Sequence, residues 1–494
     1  MGKIIKKHYL KITFQPDSPL CIGSGRNDIT DQDILRDARG IPYIPGSAVA
    51  GVLREACHGT MDEKAWKYYF GYSSTNTGNK VKSDDDIIES RIIFYDATLV
   101  GDNKDKDGNP KYRISQRDGV ALNEYKSAKK QAKFDREILE GECKFQTFIE
   151  IYEEQSDINE KVKADEVLIN IAKIWKETDI RFGAKTTRGF GKICNVEIIR
   201  RSFELVKNPD NGIEAWLDFN LFDDESWKVG DSYEDMLKTL NEDKKWTLKD
   251  NNRLSLKLRL EGGLSIRRYS TECSDEESSP DQEQLTTIKF DKNGSPEEVA
   301  VIPGTTWAGA IGHRMEELID CSKVKKFERG KDDIQTYYYF GTVNNNKKEK
   351  SLIYFNESKL TGGQFKKMSR NAIDRFLGST AEGALFTEKI YIGGETTLDI
   401  GFGDPYNTAV VYSDDFINAL AATLTDLHEG YLAVGGATSV GRGIFSILEI
   451  NGVKLNECKL EGETNSVVFD KLYETLKALI GKKETENGTH TDQK

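Results

Sequence analysis

Cysteine, histidine and proline are all scarce in this 494-residue chain, at seven, five and ten residues. The cysteines (Cys21, Cys57, Cys143, Cys194, Cys273, Cys321, Cys458) are odd in number, scattered and without a Cys-x-x-Cys pair. That excludes a disulfide frame or a zinc site of ordinary spacing and predicts reduced thiols in a cytosolic protein. His8, His58, His313, His428 and His490 show neither metal spacing nor a nucleophile partner. No apolar run approaches the ~20 residues of a membrane span. The opening MGKIIKKHYL leads into a strand pattern rather than a signal peptide. A positive surplus is also missing, since the net charge is -12. Phosphate neutralisation needs clustered Lys and Arg, so this balance argues against a free-standing nucleic-acid binder. The average hides a contrast. Asp223–Glu225 and Ser274–Glu277 are acidic, whereas 126–136 (KSAKKQAKFDR) is strongly basic. Such a strip fits a subunit of a larger assembly that touches nucleic acid on one face.

What the chain does contain is a repeat. IPGSAVAG (44–51) returns as IPGTTWAG (302–309), 258 residues later. RFGAKTTRGFG (181–191) returns as AVGGATSVGRG (433–443), 252 residues later, both with Gly-x5-Gly-x-Gly spacing. Phe134 and Phe386, and Gly141 and Gly393, keep the 252 offset, so about fifty residues before the loop run without a net gap. One module is written twice. With 37% hydrophobic and 31% charged residues, two globular modules of ordinary size are expected. The boundaries read as 1–200 and 251–455, with a join at 201–250 and a C-terminal helix and disordered tail at 456–494.

The first module predicts a strand at Tyr9–Phe14, a polar loop from Cys21 to Gly40, and a Pro45–Gly46 turn. Ser47 is a good N-cap for a helix over about 48–57, which sets Val49, Val52, Leu53 and Ala56 on one face. Strands follow at Arg91–Val100 and Phe145–Tyr152, then a helix at Asp165–Glu177, the glycine loop, and a strand at Lys192–Ile199. The second module predicts strands at Leu254–Leu260, Leu352–Phe355, Leu398–Phe402 and Ile444–Ile450, with helices at Thr306–Ile319 and Asp415–Leu427. A polar insert, 270–298, precedes its IPGT turn, and Tyr233–Leu240 in the join has helical spacing. The repeated β-α-β…β-α-β order predicts an α+β fold of two tandem ferredoxin-like (split βαβ, RRM-like) modules, each sheet leaving one face for a ligand.

The glycine loops (Gly183, Gly189, Gly191; Gly435, Gly441, Gly443) run into strands. A phosphate-cradling P-loop opens a helix instead, so the loops argue against nucleotide binding of that kind. Two explanations for the glycines stand side by side. One is plain packing, with Gly51 and Gly309 thinning a helix face; the other is close approach of a polynucleotide backbone. RGFGKI (188–193) imitates an RNA-recognition signature, but Lys192 stands where that motif needs an aromatic. The IPGS and IPGT turns have a structural role of their own, and their helix N-terminus is also a ready anion site, with Ser47 at it and Arg54 further along.

CIGSG (21–25), TDQDILRD (30–37) and GIPYIPGSAVAGVLRE together resemble the start of a RAMP-superfamily protein. The Phe70–Gly71 and Phe340–Gly341 pairs, RIIFYDATL, the glycine loops and RNAIDRFLGSTAEGALFTEKIYIGG (370–394) extend the likeness over most of both modules. The match is closest to backbone subunits of type III CRISPR effector complexes, and the tandem arrangement is similar to fused subunits of III-D effectors. The resemblance implies a cytoplasmic prokaryotic protein that binds guide RNA, meets target RNA and docks against other effector subunits. It implies thumb-like insertions within 113–136 and 368–386, where Arg113, Arg117, Lys126, Lys129, Lys130, Lys133, Arg370 and Arg375 would grip phosphates. Arg36, Lys185, Arg188 and Arg442 join that set.

The resemblance further maps a cutting aspartate onto Asp31 of DQDILRD, with Asp28 and Asp33 as alternates and Arg36 and Asp37 at the far end. Such a carboxylate binds a divalent ion, Mg in the first instance, or helps the target's 2′-hydroxyl attack the adjacent phosphate. An Asp-rich loop is also an ordinary solvated turn. Aligning Asp291 with Asp37 puts Leu285 where Asp31 stands, so cutting is expected from the first module alone. The competing readings are a non-catalytic guide-binding backbone subunit and a guide-processing RAMP endoribonuclease.

Overall fold

The structure, a computed structural model, describes residues 3–25, 32–58, 60–73, 87–100, 104, 108, 110–122, 128–155, 162–205, 212–241, 245–246, 248, 252–268, 280–290, 295–323, 339–344, 347–381, 383–403, 412–455 and 466–481. It divides into two units, one built mainly on residues up to Asn251 and the other mainly on residues from Asn252 onward.

In the first unit, strand Ile4–Pro16 alternates sides as a half-buried strand must. His8, Leu10, Ile12 and Phe14 are buried on one side, while Lys7, Tyr9 and Lys11 point to the other. It lies between Ile193–Glu204 and Phe145–Glu154, and Ile92–Phe94 extends the sheet beyond the latter. The order is therefore last, first, third, second, with every neighbour antiparallel. Helices Gly46–Cys57 and Ala164–Glu177 bury Val49, Leu53, Val167, Leu168, Ile171 and Trp175 against one face of the sheet.

The second unit repeats the scheme. Ile444–Ile450, Arg253–Glu261, Glu395–Phe402 and Ile353–Phe355 run in the same order, again all antiparallel. Gly304–Lys323 and Asp414–Glu429 supply Trp307, Ile311, Phe416, Leu420 and Leu424 to the core, joined by Leu472 and Leu476 of the C-terminal helix Ser466–Ile480. Each unit also carries a hairpin: Tyr112–Leu122 with Ala128–Gly141, and Gln364–Arg370 with Phe386–Ile392.

Four expectations change. Arg91–Val100 is two short strands, Ile92–Phe94 and Thr98–Leu99. Between them Ala97 exchanges backbone hydrogen bonds with Ile44 (2.7 and 2.9 Å), which breaks the run. Ser47 is not the N-cap: the helix begins at Gly46, with Pro45 in extended backbone at the boundary. The orphan Gly46 N–H donates instead to the Asp96 carboxylate at 2.6 Å, and a methyl group at Gly46 would fall 2.3 Å from the Phe94 carbonyl oxygen. Gly51 and Gly309 do not thin a packed face, because a methyl group at either would meet nothing within 4 Å. The polar insert before the IPGT turn holds strands Gln282–Gln284, Thr286–Phe290 and Pro296–Ile302.

The free sheet face is a further correction. In the first unit, Ile213–Leu217 and the turn Asp224–Trp227 cover it. Tyr9, Phe148, Phe203 and Trp227 are buried there, with Trp216 and Phe219 packed on them. Trp216 donates its indole N–H to the Tyr9 hydroxyl at 2.9 Å. A ligand cannot stack on rings already roofed by the chain's own rings.

Candidate nucleic-acid interface

The two glycine loops share one backbone. Phe182 N–H donates to the Gly191 carbonyl at 2.9 Å, Gly191 N–H to Pro19 at 2.8 Å, and Ala184 N–H to Cys21 at 2.8 Å. Val434, Gly443 and Gly436 make the matching bonds to Gly443, Gly263 and Ser265 at 2.9, 2.9 and 2.7 Å. All six loop glycines have positive φ. A methyl group at Gly191 would fall 1.9 Å from the Phe182 carbonyl oxygen, and one at Gly443 would fall 1.8 Å from that of Val434. Folding of the loop on itself is thus sufficient reason for these glycines. Lys185 and Ala437, 252 residues apart, both hold left-handed backbone at φ 61 and 56.

Side chains on this shared frame differ. In the first unit the hairpin sets Phe134 opposite Gly119, where a methyl group would collide with the ring at 2.2 Å. Across that ring lie the Arg136 guanidinium, 4.9 Å from its centre, and the Lys185 ammonium at 5.7 Å. Burial, then the charges of Arg136 and Arg188, hold the Lys185 ammonium below its usual range, and burial lowers Arg188 likewise. In the second unit Glu388 stands 252 residues after Arg136. It takes Arg442 (2.6 Å at one oxygen) and Arg370 (3.0 Å), and the Arg442 bond holds its carboxyl below the usual range.

Most of the other expected RNA-binding cations are engaged within the protein. Arg117 is buried against Glu140 at 2.7 Å, with Arg113 on the same carboxylate at 3.0 Å. Burial pushes Glu140 up, but the two guanidiniums outweigh it and hold the group low. Arg117 and Arg442 are therefore spent inside the fold. Arg36 also bonds within the protein, to both Glu137 oxygens at 3.0 and 2.9 Å. Glu137 accepts from the Ile34 N–H at 3.1 Å as well, clasping the end of the Asp-rich loop to the hairpin. Arg54 lies over Trp66 at 4.5 Å. Ser47 is exposed at the second residue of its helix. Arg375 is exposed on the second hairpin's tip, where Asp374 accepts from the Phe376 and Leu377 N–H groups (2.7 and 3.0 Å) and leaves the Phe376 ring in solvent. Lys129, Lys130 and Lys133 fall on strand Ala128–Gly141, backbone only. Lys126, Asp28 and Asp31 lie outside the described residues.

Asp33 pairs by its backbone with Gly25 in a short ladder. Asp37 accepts from the Ile41 N–H (2.9 Å) and from Arg39 (2.8 Å), bonds that hold it below the usual carboxylate range. It staples a turn. Among the described residues no three His, Cys, Asp or Glu side chains gather to hold a metal ion. The described histidines have structural contacts: His8 with Ser202 (2.8 Å), His428 accepting from the Ile447 N–H (2.9 Å), His58 edge-on to Trp66, and His313 beside Glu317.

The RAMP superfamily model matches residues 13–194 and 291–446, more than half of the chain. The chain belongs to the RAMP superfamily. No curated protein matches it. Membership points to a CRISPR-associated, RNA-binding role, with RNA and proteins of a CRISPR complex as partners. Each matched region closes just past a glycine loop of this RAMP protein, so both loops and both hairpins fall within the family pattern. No helix among the described residues is long and apolar enough to cross a membrane. Sequence reasoning missed four site residues of the RAMP protein: Phe134, Arg136, Glu137 and Glu140. The 252 offset that pairs Arg136 with Glu388 was a readable sign of the first two.

Proposed function

We propose that this RAMP protein is a tandem backbone subunit of a type III, III-D-like, CRISPR ribonucleoprotein. Two ferredoxin-like modules grip guide RNA by its phosphates, and the Asp31 loop of the first module cuts complementary target RNA. The observation that carries the reading is the recurrence of one set of parts in each unit: the strand order, the glycine loop, and a hairpin ending beside that loop. The hairpins take the place of the thumbs, reading guide–target geometry rather than base identity. With one sheet face roofed by aromatics, base stacking on that sheet is not the mode of binding.

In the cut, the Asp31 carboxylate accepts the proton of the target's 2′-hydroxyl. The 2′-oxygen bonds to the adjacent phosphorus, the bond to the 5′-oxygen breaks, and that oxygen takes a proton from solvent water, leaving a 2′,3′-cyclic phosphate and a 5′-hydroxyl. The Glu137 clasp on Arg36 and Ile34 anchors the loop's far end to the hairpin. Magnesium at the Asp28–Asp33 segment is a separate proposal, tested by chelation.

Backbone bonds correct the expected alignment of the second module: Leu285 N–H donates to the Ile266 carbonyl at 2.7 Å as Leu35 N–H does to that of Ile22 at 2.8 Å, so Asp281, not Leu285, stands at the place of Asp31. A non-cutting role suits this module because the Asp281 carboxylate accepts the Thr387 N–H at 2.7 Å. In a purified guide-bearing complex, Asp31→Ala should abolish target cuts while guide length and assembly stay normal. Unchanged cutting would make the whole chain a purely structural subunit. Accumulation of uncut guide precursor would instead favour a guide-processing endoribonuclease.

A further inference from the structure

The roof over the first sheet has an outer side as well as the one packed on rings. Helix Ile213–Leu217 turns Ala215 and Trp216 onto the ring layer. At about 100° per residue, Ile213 and Leu217 then fall together on the outer side, with Glu214 and Asp218 as a second row beside them. Ile213 and Leu217 are 53% and 68% exposed. Phe222 is 73% exposed, although its ring stands edge-on to the buried Phe148 at 5.6 Å, and Val229 is 78% exposed. The support beneath them is firm. A methyl group at Gly230 would fall 2.5 Å from Ile199 Cγ2 and 2.7 Å from the Arg200 carbonyl oxygen, so the chain beside Val229 lies directly against strand Ile193–Glu204. Large apolar side chains gathered in solvent on rigid backing mark a surface that another molecule covers.

Charge selects the occupant. Residues 212–231 hold six acidic side chains and one basic, Lys228, which pairs with Glu225 at 2.6 Å. Among the described residues, Glu214 and Asp218 make no ion pair. The neighbouring cations are engaged on the sheet side: Lys7 bonds Glu150 at 2.8 Å with its ammonium against the Trp216 ring, and Lys11 pairs with Asp224. Such a rim repels a phosphate backbone and an anionic lipid surface, and a second copy of the same face would set acid against acid. This segment falls between the two regions matched by the RAMP model, so its surface is additional to the family pattern.

We propose that the outer side of the roof is a protein-docking face, occupied by an apolar surface of a different polypeptide rimmed with Lys and Arg. Leu217 and Phe222 are its apolar anchors, and Glu214 and Asp218 pair with the basic rim. The proposal goes beyond the RNA-binding reading and does not rest on it.

The test uses the full-length chain and a labelled peptide of Leu and Lys patterned as an amphipathic helix, with binding read by fluorescence anisotropy. A scrambled peptide of the same composition measures attraction by net charge alone. The patterned peptide should bind about tenfold more tightly than the scrambled one. Leu217→Ser combined with Phe222→Ser should remove that advantage. Glu214→Lys with Asp218→Lys should weaken the patterned peptide about tenfold and improve binding of its Leu–Glu counterpart. Leu385→Ser, an exposed leucine on the second hairpin, should leave affinity within about twofold of wild type. Thermal unfolding of every variant checks the fold, and if the serine pair unfolds, the charge-reversal pair decides alone. Equal binding of the patterned and scrambled peptides overturns the proposal, as does undiminished binding by the folded variants. A wild-type dimer in sedimentation that the serine pair dissolves would make the occupant a second copy and overturn it as well.

Discussion

On the outer face of the first sheet Tyr9, Phe148 and Phe203 meet Phe219 and Trp227, with Tyr9 and Phe219 ring centres 5.1 Å apart. On the outer face of the second, Lys257 meets Glu395 at 3.0 Å and Arg253 meets Asp399 at 3.6 Å. Both arrangements come from the same strand alternation, which decides which residues point outward. What those residues encounter is decided elsewhere. In the first unit, residues 212–227 fold back over the rings, and nothing in YLKITF announces them. A duplicated frame keeps its hydrogen-bonded skeleton while the chemistry outside that skeleton diverges.

The contrast can be broken most forcefully at the roof. Trp227 is 2% exposed, and Trp227→Ala should destabilise the first unit by about 3–5 kcal/mol. Hydrogen exchange mapped along the chain should then show lost protection in the first sheet and none in the second. Equal loss in both would end the claim that the roof serves one sheet.

A smaller effect lies beneath the same sheet. Burial pushes His8 down to about 4, against the pull of Asp165 and Glu204 and with the help of Arg200 and Lys6. Glu153 also faces the ring, 3.9 Å away. The folded imidazole stays neutral where the unfolded one, near 6.5, takes up a proton. As pH falls from about 6.5 towards 4, the first unit should therefore lose on the order of 3 kcal/mol. Strand Arg253–Glu261 carries no histidine, so the matching strand of the second unit has no counterpart to this loss. His8→Gln should flatten the first unit's profile over that window, as read by urea unfolding at stepped pH. The least consequence is expected on the charged face: Lys257→Ala should leave stability close to that of wild type, because both partners are well exposed. A cost near that of the tryptophan would mean that this face, too, is covered.

The elements that carry apolar periodicity were legible from residues alone. Ile444–Ile450 falls where its pattern put it, and Asp415–Leu427 differs from the observed helix by a residue or two at each end. Positions governed by contacts far along the chain were not legible. Asp96, fifty residues from Gly46, took the capping role assigned to Ser47, because a carboxylate delivered from a neighbouring turn satisfies the same orphan N–H. Arg117 and Arg442 read as surface cations, since the burial of a charge depends on a partner such as Glu140 or Glu388 that spacing does not reveal. The Asp31 loop carries its signal in family likeness alone.

The aromatic roof has a practical consequence for anyone wishing to separate the halves. Truncation after Arg200 would strip Trp227 from Phe148 and remove Tyr233, Met236 and Leu240 from the core they help close. The remnant would present a bare ring-lined slab to water and should precipitate or pair with itself. A self-sufficient first half has to run to at least Leu240, so the point of duplication visible in the letters is not where the molecule can be divided.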